Sequence, residues 1–264
     1  ACYTIVTSKG KLSFISENKL FQEIDIGKNF DLVMNDNMLL IKNNIQNVLD
    51  DIYFETSDQL ITKCIADNIG AINIKNSEIS NNLIQNIGFT LNDTLYYRSC
   101  LNLIKEVWPE YYLEIVGHIE LIAVLETDAF GGFTTNLLSK AIFLSHHPDD
   151  FMWVTENIIH ECAHSRLEQL LVVDPIVLNE PEERFQSPWR KDLRPMTGIF
   201  HGVFAFVRIA MWLERLYSSF QSRVILDRLI VVTEQINKGI VTIKEKGALS
   251  PIGEHVFNEI LNYM

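Results

Sequence analysis

Apolar positions along the chain fall into helical stripes in the first half and into shorter, extended-looking runs near the middle. From Asp31 to Asp51 the apolar residues Leu32, Met38, Leu39, Ile45 and Leu49 mark one face of a helix. Ser57–Ile69 carries a second helical pattern with Gly70 as its stop, and Asn81–Ile87 a third that ends near Gly88. Tyr97–Val107 reads as a fourth, halted before Pro109. At Tyr112 the texture changes. Leu113–Leu125 is rich in strand-forming residues, Gly131 and Gly132 mark a turn, and Phe133–Ser145 returns as a strand ending in Ala141, Ile142, Phe143 and Leu144.

A helical period then resumes. Asp149 and Asp150 suit a helix N-terminus, and Trp153, Ile158, Ile159, Leu167 and Leu171 recur at helical spacing behind them. The stretch from Asp174 to Pro195 is polar, contains Pro and carries Glu180, Glu182, Glu183, Arg184, Arg190, Asp192 and Arg194. It reads as a long ordered loop, the kind of connection that is often functional. Pro195 opens a strongly apolar helix over about Met196–Arg215, and two more follow at roughly Val224–Lys246 and Ile252–Tyr263, separated by Gly247 and Pro251. The expected class is α+β and predominantly helical. Residues 1–111 form a mostly helical region without visible chemistry, and residues 112–264 a catalytic region, the two either separate or continuous.

Composition narrows the function. With 264 residues, 47% of them hydrophobic, the chain can bury a sizeable core. A formal net charge of -12 argues against nonspecific nucleic-acid binding. Cys2, Cys64, Cys100 and Cys162 show no paired spacing, which fits a reducing cytoplasm. No basic-then-apolar leader opens the sequence, and no apolar run is expected to span a bilayer, because Ile199–Leu213 is interrupted by His201 and Arg208. Nothing in the sequence fixes an oligomeric state.

The chemistry lies in His160, Glu161, Cys162, Ala163 and His164, an HExxH motif. On a helix, i and i+4 differ by about 40° of rotation and one turn of rise, so both imidazoles can address one metal ion. Glu161 is placed to act as general base on a metal-bound water, as in zinc peptidases. The plain alternative is a structural histidine pair. A strand or hairpin running into a metal-binding helix is also the order of zincin-like folds, where an edge strand lines the substrate cleft; that placement is analogy.

Two histidines seldom hold a metal alone. Leu167 and Leu170 stand where a metzincin would need glycine and histidine, which excludes that class. Glu168 is too close to His164 on the same helix to complete the site comfortably, and Glu214 lies at the wetter end of its own helix. His201 is the better candidate. It sits in an apolar helix with Arg208 seven residues on, within about 20° of the same face, and Gly198, Gly202 and Ala205 flank that stripe. The bland reading is a packing seam with a hydrogen-bonded core histidine, but a buried guanidinium one repeat away calls for an anion. His146 and His147 read as a turn feature, and His118 and His255 lack supporting context.

Leu113–Arg215 resembles a family of bacterial HExxH-containing, iron- and 2-oxoglutarate-dependent peptide β-hydroxylases that modify ribosomally made peptide natural products. The residues that carry the resemblance are the HExxH motif, then Ser187, Pro188, Trp189 and Arg190, then Asp192, Leu193, Arg194 and Pro195, then Gly198, Ile199, Phe200, His201 and Gly202. The resemblance implies a precursor-peptide substrate, Fe(II), and 2-oxoglutarate and O2 as cosubstrates. It implies His160, His164 and His201 as iron ligands, a three-histidine set rather than the commoner two-histidine, one-carboxylate triad. An arginine should hold the far carboxylate of 2-oxoglutarate: Arg208 fits if His201 is a ligand, and Arg194 and Arg190 are rivals. Trp189 would shield the reaction or only pack the loop. Glu161 would then orient a histidine or a metal-bound water instead of serving as base. Two alternatives stay open, a zinc metallopeptidase and a noncatalytic peptide-binding module.

Overall fold

The computed structural model describes residues 4–8, 11–16, 19–25, 30–35, 38–43, 52–55, 91–125, 131–135, 138–172 and 174–264. Contacts divide the chain into two compact units, Ala1–Asp50 and Asp51–Met264. The protein is mostly helical with a small sheet, as expected of an α+β chain.

In the first unit, β1 (Thr4–Ser8), β2 (Lys11–Ser16) and β3 (Lys19–Asp25) form an antiparallel meander, with a register shift between Phe14 and Ile15. β4 (Phe30–Asn35) and β5 (Met38–Asn43) form a hairpin with Asn35 opposite Met38. The helix expected from Asp31 is therefore wrong over residues 31–43. A stripe of five apolar residues fitted a helix only by leaving aside Val33, Met34, Leu40 and Ile41. Counted in full, these form two short apolar runs around Asp36 and Asn37, a hairpin signal. The helices expected at Ser57–Ile69 and Asn81–Ile87 lie outside the described residues.

The second unit begins with β6 (Tyr53–Glu55). Helices α1 (Leu91–Val107) and α2 (Pro109–His118) follow, and then β7 (Leu121–Leu125), β8 (Gly132–Thr134) and β9 (Ala141–Ser145). The sheet order is β6-β7-β9-β8, parallel except for β8. The strand expected from Leu113 is corrected to a helix as far as His118. Pro109 occupies the first helical turn, where its missing N–H costs nothing, and Glu110 beside it favours the positive end of the helix dipole. Tyr111, Tyr112 and Ile115 are the buried face of α2. The run from Phe133 to Ser145 is two short strands.

The described residues of α1 and α2 belong to the same contact unit as the strands and helices that follow. Tyr97, Cys100, Leu101 and Ile104 of α1 are buried in the same core as Ile158 and Trp212 further along the chain.

Helix α3 (Phe151–Leu171) carries the HExxH motif. Asp150 caps it by accepting a hydrogen bond from the Trp153 amide at 3.0 Å. Next, β10 (Phe185–Gln186) and β11 (Leu193–Arg194) pair antiparallel inside the polar segment. Helix α4 (Met196–Phe220) is the core helix, with Phe200, Val203, Ala205, Trp212 and Leu213 fully enclosed. It ends at Gln221 in a left-handed conformation, φ 50°. It is long and apolar enough to cross a membrane by length and composition, but here most of it is buried inside the protein. Helix α5 (Arg223–Lys246) packs along α4, and α6 (Pro251–Tyr263) starts from a Ser250 cap with Pro251 in its first turn.

The 174–195 segment is strapped to the turn between α5 and α6. Asn179 donates to the Lys246 carbonyl at 3.0 Å and accepts from the Ala248 amide at 2.7 Å. Gly253 touches the same strap: a Cβ there would lie 2.1 Å from the Ile176 carbonyl oxygen.

Candidate metal centre

His160 and His164 stand one turn apart on α3 with their Nε2 atoms 2.9 Å apart and their ring planes perpendicular. Two imidazole nitrogens ~2.1 Å from one metal and roughly 90° apart would be separated by about 3.0 Å, so the pair is spaced as adjacent ligands are. The same distance is also that of a hydrogen bond between the two rings. Burial, then the nearby His201, hold the His160 imidazole down at about 4. Burial, then His160 and His201, push His164 well below its usual value. Both rings are thus neutral at physiological pH, the form that ligates metal. His164 Nδ1 is buried without a hydrogen-bond partner.

Helix α4 delivers a third imidazole. The His201 ring lies 5.6 Å from that of His164, centre to centre, tilted by 32°. Its Nδ1 is 3.9 Å from Glu168 Oε1, beyond hydrogen-bond range. Among the described residues no three His, Cys, Asp or Glu side chains yet form a metal-holding group. The pair fits a metal in spacing and chemistry, and the His201 ring lies next to that of His164.

Aromatic rings wall the site. Phe206, five residues beyond His201, meets the His160 ring edge-on at 5.1 Å. Trp189 stacks on the other side of Phe206 at 4.9 Å and 14°. The indole fits because α4 and α5 present glycines to it. A Cβ on Gly202 would lie 2.5 Å from Trp189 Cζ3, and one on Gly239 would lie 3.1 Å from its Cη2. The Pro-Trp-Arg part of the long segment is thereby anchored beside the histidine helix.

Glu161 faces the sheet. It is 3% exposed, and a Cβ on Gly132 of β8 would come within 2.9 Å of its Oε1. Its Oε2 has no partner, and burial pushes the carboxyl up to about 8.

The three arginines separate. Arg190 is exposed, with Nε 4.0 Å from Asp192 Oδ1. Arg194 donates to Asp192 Oδ2 at 3.1 Å, and its side chain lies over Gly198, three residues before His201. Arg208 donates to the Phe204 carbonyl at 3.2 Å with its guanidinium 3.6 Å over the Phe204 ring. Burial lowers the Arg208 pKa, while Tyr111 and Glu114 of α2 oppose that shift, so its anionic company is on α2.

Of the histidines set aside earlier, His146 faces Tyr97, whose hydroxyl is 3.3 Å from its Nδ1, and His147 packs on Trp153. Glu214 is engaged with Tyr263 of α6.

Sequence reasoning missed three neighbours. Glu156 lies one turn before His160, and Arg228 of α5 forks onto it, with Nε 2.9 Å from Oε1 and Nη2 2.5 Å from Oε2. The i−4 spacing from His160 was the available signal for Glu156. Phe206 and the placement of Glu168 beside His201 are tertiary and left no local signal. No protein-family model and no curated protein matches the chain.

Proposed function

We propose that this protein is an Fe(II)- and 2-oxoglutarate-dependent dioxygenase that hydroxylates a β-carbon of a ribosomally made precursor peptide in the cytoplasm. The observation that carries the reading is the His160–His164 pair, with nitrogens 2.9 Å apart, and the His201 ring 5.6 Å from that of His164. It is joined by the Pro-Trp-Arg and Gly-x-x-His-Gly blocks on which the family resemblance rests. His160, His164 and His201 would hold Fe(II), which with 2-oxoglutarate and O2 supplies the oxidising chemistry. Phe206 and Trp189 give the site an apolar wall that limits water. Arg194, whose side chain lies over Gly198 one turn before His201, would take the far carboxylate of 2-oxoglutarate. The zincin-like detail, with β8 as the edge strand next to α3, belongs to the same proposal.

The Pro-Trp-Arg and Gly-x-x-His-Gly blocks favour this reading over a zinc peptidase, which rests on the HExxH motif alone. The test is anaerobic reconstitution with Fe(II) and 2-oxoglutarate, then O2 and a precursor peptide encoded nearby. Succinate formation and gain of one oxygen atom by the peptide are expected. Peptide cleavage dependent on zinc and on Glu161 would instead establish the peptidase. Function that survives loss of both His160 and His164 would establish a noncatalytic module.

A further inference from the structure

The α3 face that carries the motif is longer than the motif. Glu156, His160, His164 and Glu168 recur at four-residue steps, so the histidines are bracketed by carboxylates along one stripe. Glu156 is occupied by the two-pronged contact with Arg228. Among the described residues Glu168 makes no ion pair with an arginine or lysine, and the basic side chain recorded against it is His201, whose Nδ1 is 3.9 Å from its Oε1.

We propose that Glu168 is the positioning residue for His201: with a metal held by His160 and His164, its carboxylate closes the 3.9 Å gap, accepts from the Nδ1–H of that imidazole and so presents Nε2 to the metal. The inference rests on the metal-site reading above. Glu168 is ill placed to be a ligand itself, since it stands two helical turns, ~12 Å along the axis, from His160. The geometry at His201 suits the indirect role. Two imidazoles bound through nitrogen have centroids ~3.2 Å from the metal, so a centroid separation of about 5.6 Å needs roughly 120° between them. The observed separation from His164 is 5.6 Å, the value that angle requires. Among the described residues, the polar side chains recorded against His201 are the two histidines and Glu168. A histidine ligand whose second nitrogen is held by a carboxylate has its tautomer and ring orientation fixed, and loss of such a partner weakens metal affinity by 10–100-fold.

The experiment is anaerobic titration of metal-stripped protein with Co(II), read by calorimetry and by the visible absorption of the bound ion. Wild type, Glu168→Ala, Glu168→Gln, His201→Ala and the His160→Ala/His164→Ala double variant are compared, with thermal melts confirming that each is folded. Wild type should bind one Co(II). Glu168→Ala should bind about 10–100-fold more weakly, and Glu168→Gln, which keeps an acceptor oxygen, should recover part of that loss. Both should keep the wild-type number of ligands. Wild-type affinity in Glu168→Ala alongside weakened binding in His201→Ala overturns the positioning role and leaves the metal site standing. A Co(II) spectrum that loses a ligand in both Glu168 variants makes Glu168 a ligand and also overturns it. Wild-type Co(II) binding in the double histidine variant overturns the metal site itself.

Discussion

Substituting Gly202 by alanine should change sign with the identity of residue 189. In the folded protein an alanine Cβ would lie 2.5 Å from Trp189 Cζ3 and 2.7 Å from Cε3. Carbon atoms in contact sit ~3.5–4.0 Å apart, so the ring must retreat by about 1 Å. Retreat is blocked by Phe206, stacked at 4.9 Å, and by the Gly239 surface of α5, where even a Cβ would lie 3.1 Å from the indole. Overpacking of this kind costs about 1–3 kcal/mol. Against it, Gly→Ala inside a helix contributes ~1 kcal/mol of stability. Gly202→Ala alone should therefore destabilise by roughly 0–2 kcal/mol.

In a Trp189→Ala background the obstacle is gone and only the helix term remains, so the same change should stabilise by up to about 1 kcal/mol. The coupling between the two sites is then ~1–3 kcal/mol. Urea unfolding followed by far-ultraviolet circular dichroism measures all four corners of the cycle without relying on the tryptophan signal. If Gly202→Ala stabilises equally in both backgrounds, Trp189 does not occupy the groove and the anchoring of the 185–194 segment beside the histidine helix is refuted.

Other consequences follow from the same contacts. Arg228→Met strands the Glu156 carboxylate, whose side chain is 10% exposed, and should cost about 1–3 kcal/mol in chemical denaturation; an effect below 0.5 kcal/mol would show the pair to be energetically idle. Burial pushes the Cys100 thiol up to about 11 and Cys162 well above its usual value, so both are thiols at pH 8. With Cys2 and Cys64 replaced by serine, the folded protein should resist a disulfide reagent that modifies the urea-unfolded chain at once, and rapid labelling when folded would contradict the burial. Asp150→Ala removes the α3 cap and should lower stability by ~1 kcal/mol, whereas an unchanged unfolding midpoint would mean that the cap contributes nothing. On the proposed reaction, Arg194→Met should raise the KM for 2-oxoglutarate about tenfold or more while Arg208→Met chiefly lowers stability; the reverse pattern would move the carboxylate site to Arg208.

The helices that hold the site were legible because local chemistry marks their ends. Asp150, Pro195, Gly247 and Pro251 are start and stop residues whose effect depends on their immediate neighbours, and the 3.6-residue period between them is long enough to be unambiguous. The errors fell where the local signal admits two structures. Residues 31–43 hold apolar residues dense enough to satisfy a helical stripe or two adjacent strands, and strand pairing decided it. Leu113–His118 carries β-favouring residues, but Pro109 starts a helix and Tyr111, Tyr112 and Ile115 bury its face in the core. A proline taken as a stop for one helix was also the start of the next.

The site was legible to the extent that it is written on one helix. The spacing of His160 and His164 fixes their convergence through helix geometry alone. What joins them depends on how α4 is set against α3, and that register is tertiary. His201 meets His164 and Glu168, while Phe206 meets His160, so the two helices run antiparallel here. Five residues of α4 span ~7.5 Å and four of α3 span ~6 Å, so the two sets of contacts are mutually consistent. The same register carries Arg208 past His160, toward the level where the Tyr111 hydroxyl bonds the Ile159 carbonyl at 3.0 Å. Reading α4 alone, the seven-residue spacing rightly set His201 and Arg208 on one face. It could not show that α3 sets His164 against the first of them, nor that the strap before α4 lays the Arg194 side chain over Gly198, one turn before His201.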